Sequence, residues 1–230
     1  MTDVAIVTGG SKGFGRALSA LLVERTWTVL FDGRDPADVD AAARATGAVG
    51  IPGDVRDHEH RVRLVAEALS RGALRLLVNN ASSLGASPLP SLAAYPLGSL
   101  REVLETNVVA PLALVQEALP HLRAHRGAVV NVTSDAAVGG YERWGGYGAS
   151  KAALEQWSRV LAAEEPGVAV WWVDPGDMRT GMHQAAFPGE DISDRLLPEQ
   201  VAPALLELLR RRPPSGRVVL PNLLPGGGPR

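Results

Sequence analysis

A tyrosine and a lysine four residues apart are the first sign of chemistry in this sequence. Tyr147 and Lys151 belong to a run that opens a helical pattern, so both side chains are expected on one face of one turn. An ammonium group beside a phenol favours the phenolate and lowers the tyrosine pKa toward working pH, where proton transfer is efficient. Ser134 ends a predicted strand shortly before, and its hydroxyl could orient a substrate carbonyl. The pair alone is typical of a helix surface, so its interpretation depends on the elements around it.

A glycine-rich loop near the N-terminus predicts a phosphate-binding turn. It follows the apolar stretch 4–7 and leads directly into a helical pattern. Such a strand, turn and helix bind anions because free backbone N–H groups and the helix dipole converge where glycines let the chain approach a pyrophosphate. The predicted cofactor contacts here are Thr8, Gly9, Ser11, Lys12, Gly13, Phe14 and Gly15. The loop therefore indicates a dinucleotide cofactor.

The end of the second predicted strand should distinguish NADP(H) from NAD(H). A carboxylate at the strand tip favours the dinucleotide without the extra phosphate, and a basic group there favours the phosphorylated form. We place Gly33 at the tip and Arg34 just after it, with Lys12 reaching across from the glycine loop. This alignment predicts NADP(H). A shift of one residue would put Asp32 at the tip and favour NAD(H), which stays a possible cofactor.

Short β-type runs alternate with longer helical patterns along the chain. The predicted strands span residues 4–8, 28–31, 48–51, 74–79, 128–133, 168–173 and 217–220. The predicted helices span residues 14–25, 57–71, 99–125, 148–164 and 198–211. This order predicts an α/β fold: a single doubly wound Rossmann-like domain over residues 1–230, with a seven-stranded parallel sheet and helices on both faces.

Two long segments, 82–96 and 176–197, lack a regular period and are expected to be functional or mobile. We expect 176–197 to form a substrate lid and the tail 225–230 to be flexible. The predicted substrate contacts are Ser134, Tyr141, Trp144, Tyr147, Met178 and Met182. The residue types of these predicted contacts favour a neutral, moderately apolar carbonyl compound or alcohol as the substrate, while Arg143 and Arg179 keep an anionic substrate possible.

The bulk composition excludes several classes of protein. A net charge of -2 gives no electrostatic reason to expect nucleic acid or an anionic membrane as a partner. The chain has 0 cysteines, which excludes disulfides, thiolate metal sites and a cysteine nucleophile. His58 and His60 have the wrong spacing for two ligands on one helical face, so no metal is expected. Without an apolar run of about 18 residues or a signal peptide pattern, a cytoplasmic protein is expected.

These motifs together resemble the short-chain dehydrogenase/reductase family of ordinary, non-extended length, over most of the chain. The glycine loop looks like its TGxxxGxG element. The other matching elements are Asp54-Val55, the run Asn79-Asn80-Ala81, Asn107, Ser134, Tyr147, Lys151, Pro175-Gly176 and Thr180. Ser82 replaces the glycine that often follows the family's equivalent of the run Asn79-Asn80-Ala81, and this change is expected to be tolerated. The strand 217–220 leads to Pro221 rather than a glycine-rich ending, which puts a C-terminal subunit contact in doubt.

The resemblance implies catalytic roles for four residues. Tyr147 would protonate a carbonyl oxygen or deprotonate an alcohol, Lys151 would bind the nicotinamide ribose, and Ser134 would hold the substrate oxygen. Asn107 would hold a water linked to Lys151. It implies cofactor contacts at Asp54, Val55, Asn80, Ala81, Tyr147, Lys151, Pro175, Gly176 and Thr180, and a homodimer or homotetramer.

The expected function is hydride transfer between NADP(H) and a small-molecule carbonyl or secondary alcohol, with tyrosine as general acid or base. A second hypothesis is a catalytically silent dinucleotide-binding regulator or scaffold. The four catalytic positions argue against it, because a pure binder needs no proton relay. A lyase or isomerase is a third hypothesis, for which the sequence supplies no additional acid–base group.

Overall fold

A computed structural model describes residues 2–224 of the chain, and the predicted flexible tail 225–230 lies outside the described residues. Seven parallel strands form one sheet in the order β3-β2-β1-β4-β5-β6-β7. The strands are β1 (Asp3–Val7), β2 (Thr28–Gly33), β3 (Val49–Pro52), β4 (Ala73–Asn79), β5 (Ala128–Val132), β6 (Ala169–Asp174) and β7 (Gly216–Val219). The predicted seven-stranded parallel sheet is confirmed, and its order reverses between β1 and β4, where a ligand cleft is expected.

Helices cover both faces of this sheet. They are α1 (Gly13–Glu24), α2 (Pro36–Thr46), α3 (His58–Leu69), α4 (Leu97–Leu104), α5 (Ala110–Ala124), α6 (Gly145–Glu164), α7 (Gly181–Ala186) and α8 (Pro198–Arg211). One apolar core packs α1, α2 and α8 on the sheet, and a second packs α3, α5 and α6 on the other face. The doubly wound α/β prediction is therefore confirmed. No helix within residues 2–224 is long and apolar enough to cross a membrane.

Two helices were missed by the sequence pattern. The helix α2 is capped by Asp35, which accepts from backbone N–H groups, but it buries little beyond Val39 and Ala42 and so has a weak apolar period. The helix α7 buries none of its six residues, so it left no pattern in the segment 176–197. A further difference concerns the predicted helix 99–125. It is interrupted by a π-helical turn at Glu105–Val109, which is a local bulge in the helix and contains the buried Asn107.

Candidate active site

One cavity of about 850 Å³ lies along the carboxyl ends of the strands. It brings together most of the residues predicted from the sequence. The cofactor-binding predictions among its lining are Gly9, Ser11, Lys12, Gly13, Phe14, Arg34, Asp54, Val55, Asn80, Ala81, Tyr147, Lys151, Pro175, Gly176 and Thr180. The substrate predictions among its lining are Ser134, Tyr141, Trp144, Tyr147, Met178 and Met182. A volume of this size is typical of small-molecule and cofactor sites.

Thr8 and Gly15 were predicted to contact the cofactor, but they are buried behind the cavity wall. The Thr8 hydroxyl accepts hydrogen bonds from the backbone N–H groups of Asn80 and Ala81, each at 3.0 Å. A Cβ at Gly15 would lie 2.4 Å from Asn80 Nδ2, so only glycine allows this approach. Both residues therefore position the loop after β4, which lines the cavity.

Asn107 also lies outside the cavity lining, in the π-helical turn between α4 and α5. Its side chain is almost fully buried, and Asn107 Nδ2 donates to Ser83 O and to Ser150 Oγ, each at 2.9 Å. Asn107 Oδ1 accepts from Ser83 N at 2.7 Å. Because Ser150 belongs to α6, these bonds join the loop after β4 to the helix that carries Tyr147. The resemblance implied a water-holding role, and the geometry adds a positioning one.

Tyr147 and Lys151 share one face of α6, as their spacing predicted, and this face is buried. Lys151 Nζ lies 5.4 Å from the centroid of the Tyr147 ring. The same ammonium donates a hydrogen bond to Val132 O at 2.8 Å, at the end of β5. The Lys151 side chain is therefore held between its own helix and the sheet, with the phenol beside it.

Burial changes the pKa values of this pair in opposite directions. It lowers the pKa of Lys151 from 10.5 to about 7, and it raises the pKa of Tyr147 well above its ordinary value. The hydroxyls of Ser82 and Ser134 act to lower the Tyr147 pKa, while Asp174 and Asp135 raise it further. In the chain by itself the pKa of Tyr147 is therefore raised, not lowered as expected. That expectation considered the charge of the lysine but not the desolvation of both groups.

Ser134 begins a short turn and lies beside a carboxylate. Ser134 Oγ donates to Asp135 Oδ1 at 2.9 Å and accepts from Ala136 N at 3.1 Å. The other Asp135 oxygen accepts from the Tyr141 hydroxyl at 2.9 Å. Asp135 was not singled out from the sequence, although it directly follows the predicted catalytic serine. It gives this part of the cavity a negative charge.

A buried ionic network behind the site was also missed. Arg217 on β7 donates from Nε to Glu155 Oε1 at 3.0 Å, and from Nη2 to Asp174 Oδ2 at 2.8 Å and Ser134 O at 3.3 Å. Asp174 Oδ1 in turn accepts from Gly176 N at 2.9 Å. The network therefore connects the last strand to the loops after β5 and β6, both of which line the cavity.

Only one partner of this network left a signal in the sequence. Glu155 follows Lys151 by four residues, which places it on the same inward face of α6, where a carboxylate needs a buried cation. Arg217 is 62 positions away, and nothing local predicts that it is this cation.

At the other end of the cavity, Asp32 points inward from β2. It is 1% exposed, accepts from Gly9 N at 2.7 Å, and lies 3.0 Å from Nε2 of the equally buried His60. Burial raises the pKa of Asp32 above its ordinary value, and the bond from His60 opposes this effect. His60 thus has a structural partner that the sequence reasoning did not identify. Within residues 2–224, no group of three or more His, Asp or Glu side chains is arranged to hold a metal ion.

The tip of β2 is Gly33, where a Cβ would lie 2.8 Å from Ser11 Oγ, so the glycine loop packs directly against it. Arg34 follows and lines the cavity. The Lys12 side chain is largely exposed, and its Nζ pairs with Asp38 Oδ2 at 2.5 Å. With Arg56, which also lines the cavity, three cations therefore lie at this end.

The residues of the glycine loop fit an anionic dinucleotide. Lys12 is the N-cap of α1, and a lysine side chain has no acceptor, so it leaves the first backbone N–H groups of the helix open to an anion. The first turn carries Arg16 rather than an acidic side chain. An anionic group at this terminus would be stabilised by both the free N–H groups and the helix dipole.

Comparisons with known proteins identify the family. The family model for short chain dehydrogenases matches residues 3–191. The L-fucose dehydrogenase of Mus musculus is 36% identical over 181 residues, which covers 77% of this chain and 66% of that enzyme, slightly less than two thirds of its length. Carbonyl reductase family member 4 of Danio rerio is 30% identical over 234 residues, covering 96% of each chain.

A structure described as a short chain dehydrogenase from Shigella flexneri complexed with NADP superposes with a TM-score of 0.86 and 28% identity, covering 95% of this chain and 96% of that chain. The chain belongs to the short-chain dehydrogenase family, whose relatives named above are a dehydrogenase and a reductase. The two relatives named above are therefore both oxidoreductases.

Proposed function

We propose that this chain transfers a hydride between NADP(H) and a carbonyl compound or secondary alcohol, with Tyr147 as general acid or base. The observation that carries the proposal is the shared cavity, in which Ser134, Tyr147 and Lys151 line one end and the glycine loop lines the other. A dinucleotide that extends along the cavity from the glycine loop would bring its nicotinamide ring to the end with the acid–base groups. This ring supplies or accepts the hydride when the cofactor is bound.

The chain's own residues then handle the proton. In reduction, Tyr147 gives its phenolic proton to the carbonyl oxygen, and in oxidation its phenolate takes the hydroxyl proton. With its pKa lowered to about 7, Lys151 is partly charged near neutral pH, and its charged form favours the phenolate. Ser134 holds the substrate oxygen, for which its hydroxyl must release Asp135 Oδ1.

Two features support NADP(H) as the preferred cofactor, with NAD(H) as the alternative. Asp32, whose position was the open question, lines the cavity, but its carboxylate oxygens are already held by a backbone N–H group and a buried histidine, so they are less free to bind ribose hydroxyls. Arg34 and Lys12 offer positive charge at the same end of the cavity, where a phosphate on the adenosine ribose would need it. The NADP-bound relative from Shigella flexneri agrees with this preference.

The substrate end favours a small neutral molecule. Its apolar lining consists of Leu84, Trp144, Met178, Met182 and Phe187. Asp135 and Asp177 add negative charge, whereas Arg143 and Arg179, which had kept an anionic substrate possible, are not part of this lining. Arg195 Nε lies 3.6 Å from Asp177 Oδ2 and offsets part of this charge, but Arg195 is not part of the lining, and Asp135 has no ion pair with an arginine within residues 2–224. Neutral carbonyl compounds and alcohols should therefore bind better than carboxylates.

A substrate panel tests the proposed function. The purified protein is mixed with NADPH and a set of ketones and aldehydes, or with NADP⁺ and alcohols including L-fucose, and nicotinamide absorbance is followed. Turnover of a neutral substrate is the expected result. Tight NADPH binding with no turnover on any member of the panel would instead support the silent binder, which the convergence of the acid–base residues disfavours.

Four broader expectations accompany this proposal. Residues 1–230 form one dinucleotide-binding domain, the chain associates as a homodimer or homotetramer, and it works in the cytoplasm. The segment 176–197 acts as a substrate lid, which is supported by Met178, Met182 and Phe187 in the cavity lining. Sedimentation of the purified protein tests the oligomeric state directly.

A further inference from the structure

Ser82 stands where the family often has glycine, and the structure gives its hydroxyl two polar neighbours. The residue is half-buried, lines the cavity, and follows Ala81 in the loop after β4. Ser82 Oγ donates to Asn107 Oδ1 at 3.2 Å. Tyr147 lines the same cavity and is its second neighbour: a hydrogen-bonding contact from the Ser82 hydroxyl acts to lower the pKa of the Tyr147 phenol, against the larger effect of burial. Ser82 therefore lies between the buried amide and the phenol.

The acceptor of the Ser82 proton is held in place by the rest of the chain. Asn107 Oδ1 also accepts from Ser83 N at 2.7 Å, and Asn107 Nδ2 donates to Ser150 Oγ at 2.9 Å. Ser150 Oγ donates in turn to Tyr147 O at 2.6 Å. The amide and the tyrosine are thus parts of one hydrogen-bonded unit, and Ser82 faces both.

The two serines beside Tyr147 differ in how tightly their protons are held. Ser134 donates at 2.9 Å to the carboxylate of Asp135, and hydrogen bonds to an ionised acceptor are the stronger kind. Ser82 donates at 3.2 Å to a neutral amide oxygen that already has a shorter bond from a backbone N–H group. Turning the Ser82 hydroxyl away from Asn107 therefore costs less than turning Ser134 away from Asp135.

We propose that Ser82 is a positioning residue for proton transfer, which turns its hydroxyl from Asn107 Oδ1 to the Tyr147 oxygen when that oxygen becomes a phenolate. Ser82 keeps its own proton throughout, so only the direction of its hydrogen bond changes. The stabilised phenolate is the form that accepts the proton of an alcohol. The inference rests on the proposed role of Tyr147 and adds a donor that leaves Ser134 free for the substrate.

The first test is a direct titration of Tyr147 in protein labelled with carbon-13 at the tyrosine ζ carbon. The chain has three tyrosines, and Tyr147→Phe assigns the relevant signal in NADP⁺-saturated protein. Loss of a hydrogen bond worth about 1 kcal/mol corresponds to roughly half to one pH unit. Ser82→Ala should therefore raise the titration midpoint of Tyr147 by about that amount. Ser82→Gly, which also lacks the hydroxyl, should raise it equally, whereas Ser82→Thr should restore it.

Ser83→Ala is the matched control, because its hydroxyl accepts from Gly85 N at 3.2 Å rather than facing the phenol. It should leave the Tyr147 midpoint where it is in the parent protein. The proposal is overturned if Ser82→Ala and the parent titrate at the same midpoint, or if Tyr147 stays protonated in both up to the pH of unfolding. A shift in Ser82→Thr as large as that in Ser82→Ala would overturn it as well, since the hydroxyl would then be irrelevant.

The second test is the pH dependence of kcat/KM for alcohol oxidation, with an alcohol from the substrate panel. Below the Tyr147 pKa, Ser82→Ala should be about three- to tenfold slower than the parent, and the difference should vanish at higher pH. A uniform loss at every pH would overturn the proposal by indicating a structural defect. Full activity of Tyr147→Phe would refute the proposed function itself, a result separate from an unshifted Ser82→Ala profile.

Discussion

The two ends of the cavity hold their charged groups in different ways. At the catalytic end, Lys151 is 2% exposed and Glu155 is 1% exposed, and each has a partner inside the protein. At the end with the glycine loop, the Lys12 side chain is 72% exposed and the Arg56 side chain is 39% exposed, and both pair with surface carboxylates. Positions are therefore fixed at the catalytic end, while at the glycine-loop end the buried pair of Asp32 and His60 is fixed but the exposed cations can exchange partners.

This difference separates two kinds of energetic effect. Removing one partner of a buried charge pair leaves an uncompensated charge in a medium that solvates it poorly, which is costly. An exposed pair loses little because water and salt already screen it. Substitutions at the catalytic end should therefore cause large changes, and substitutions of the exposed cations at the glycine-loop end should cause small and salt-dependent ones.

The largest effect is expected for Tyr147→Phe. The variant removes the only proton that the proposed mechanism transfers to the substrate, so kcat/KM for carbonyl reduction should fall by about 10²- to 10⁴-fold. NADPH oxidation with a substrate from the panel measures it. Tyr95→Phe is the matched control, because Tyr95 is not part of the cavity lining, and it should keep the parent rate. Comparable rates for Tyr147→Phe and Tyr95→Phe would contradict the proposed acid–base role of Tyr147.

The next effect concerns stability and comes from Lys151. Its folded pKa of about 7 lies below the ordinary 10.5, so the unfolded chain binds more protons between these values and stability rises with pH there. Above about pH 10 the raised pKa of Tyr147 opposes the trend, because its burial favours the neutral phenol. The parent should thus gain up to about 1.4 kcal/mol per pH unit between about pH 7 and 10.

Lys151→Met should lack this gain, as followed by urea unfolding at several pH values in that window. The chain contains one other lysine, Lys12, and Lys12→Met is the natural control because its side chain is exposed. Lys12→Met should keep the slope of the parent. Equal slopes for Lys151→Met and the parent would mean that the buried ammonium does not govern this pH dependence.

A smaller change in stability is expected for Arg217→Met. It leaves Glu155 and Asp174 without a shared cation, although Glu155 keeps its bond to Arg159, so we expect a loss of about 2–3 kcal/mol. Arg56→Met, at the other end of the cavity, removes an exposed bond to Asp54 and should cost about 0.5 kcal/mol. Urea unfolding measures the loss in free energy of unfolding for both variants. Equal losses would contradict the difference between the buried and the exposed ion pairs.

The sequence was sufficient where the signal is local. The strands, the glycine loop and the spacing of Tyr147 and Lys151 follow from residues close together in the chain, so they could be predicted. The sheet order then brings these pieces to one edge, because parallel strands end on the same side. The resemblance to a known family added Asn107, which local spacing alone would not identify.

The sequence was insufficient where the effect depends on distant partners or on burial. Arg217 reaches Glu155 and Asp174 across the sheet, and no local pattern encodes that pairing. The pKa direction of Tyr147 was wrong because desolvation is a property of the whole fold. The inward position of Asp32 likewise needed His60, which lies on a different element.

The smallest predicted effects concern cofactor choice at the exposed end. Arg34→Ala should weaken NADPH binding about tenfold and leave NADH binding nearly unchanged, because only the phosphorylated ribose needs the cation. Lys12→Ala should weaken NADPH binding by less, about threefold, since Lys12 must first leave Asp38. Quenching of tryptophan fluorescence measures both, with Trp144 in the cavity lining as one reporter.

Salt provides the sharper version of this last experiment. The NADPH preference of the parent should shrink as ionic strength rises, whereas that of Arg34→Ala should barely respond, because the screened interaction is already absent. Arg44→Ala, at the far end of α2, is the control of equal charge and should behave like the parent. An NADPH preference that survives in Arg34→Ala would assign phosphate recognition to other groups. If NADH bound the parent as tightly as NADPH, the carboxylate of Asp32 would have to turn outward from His60.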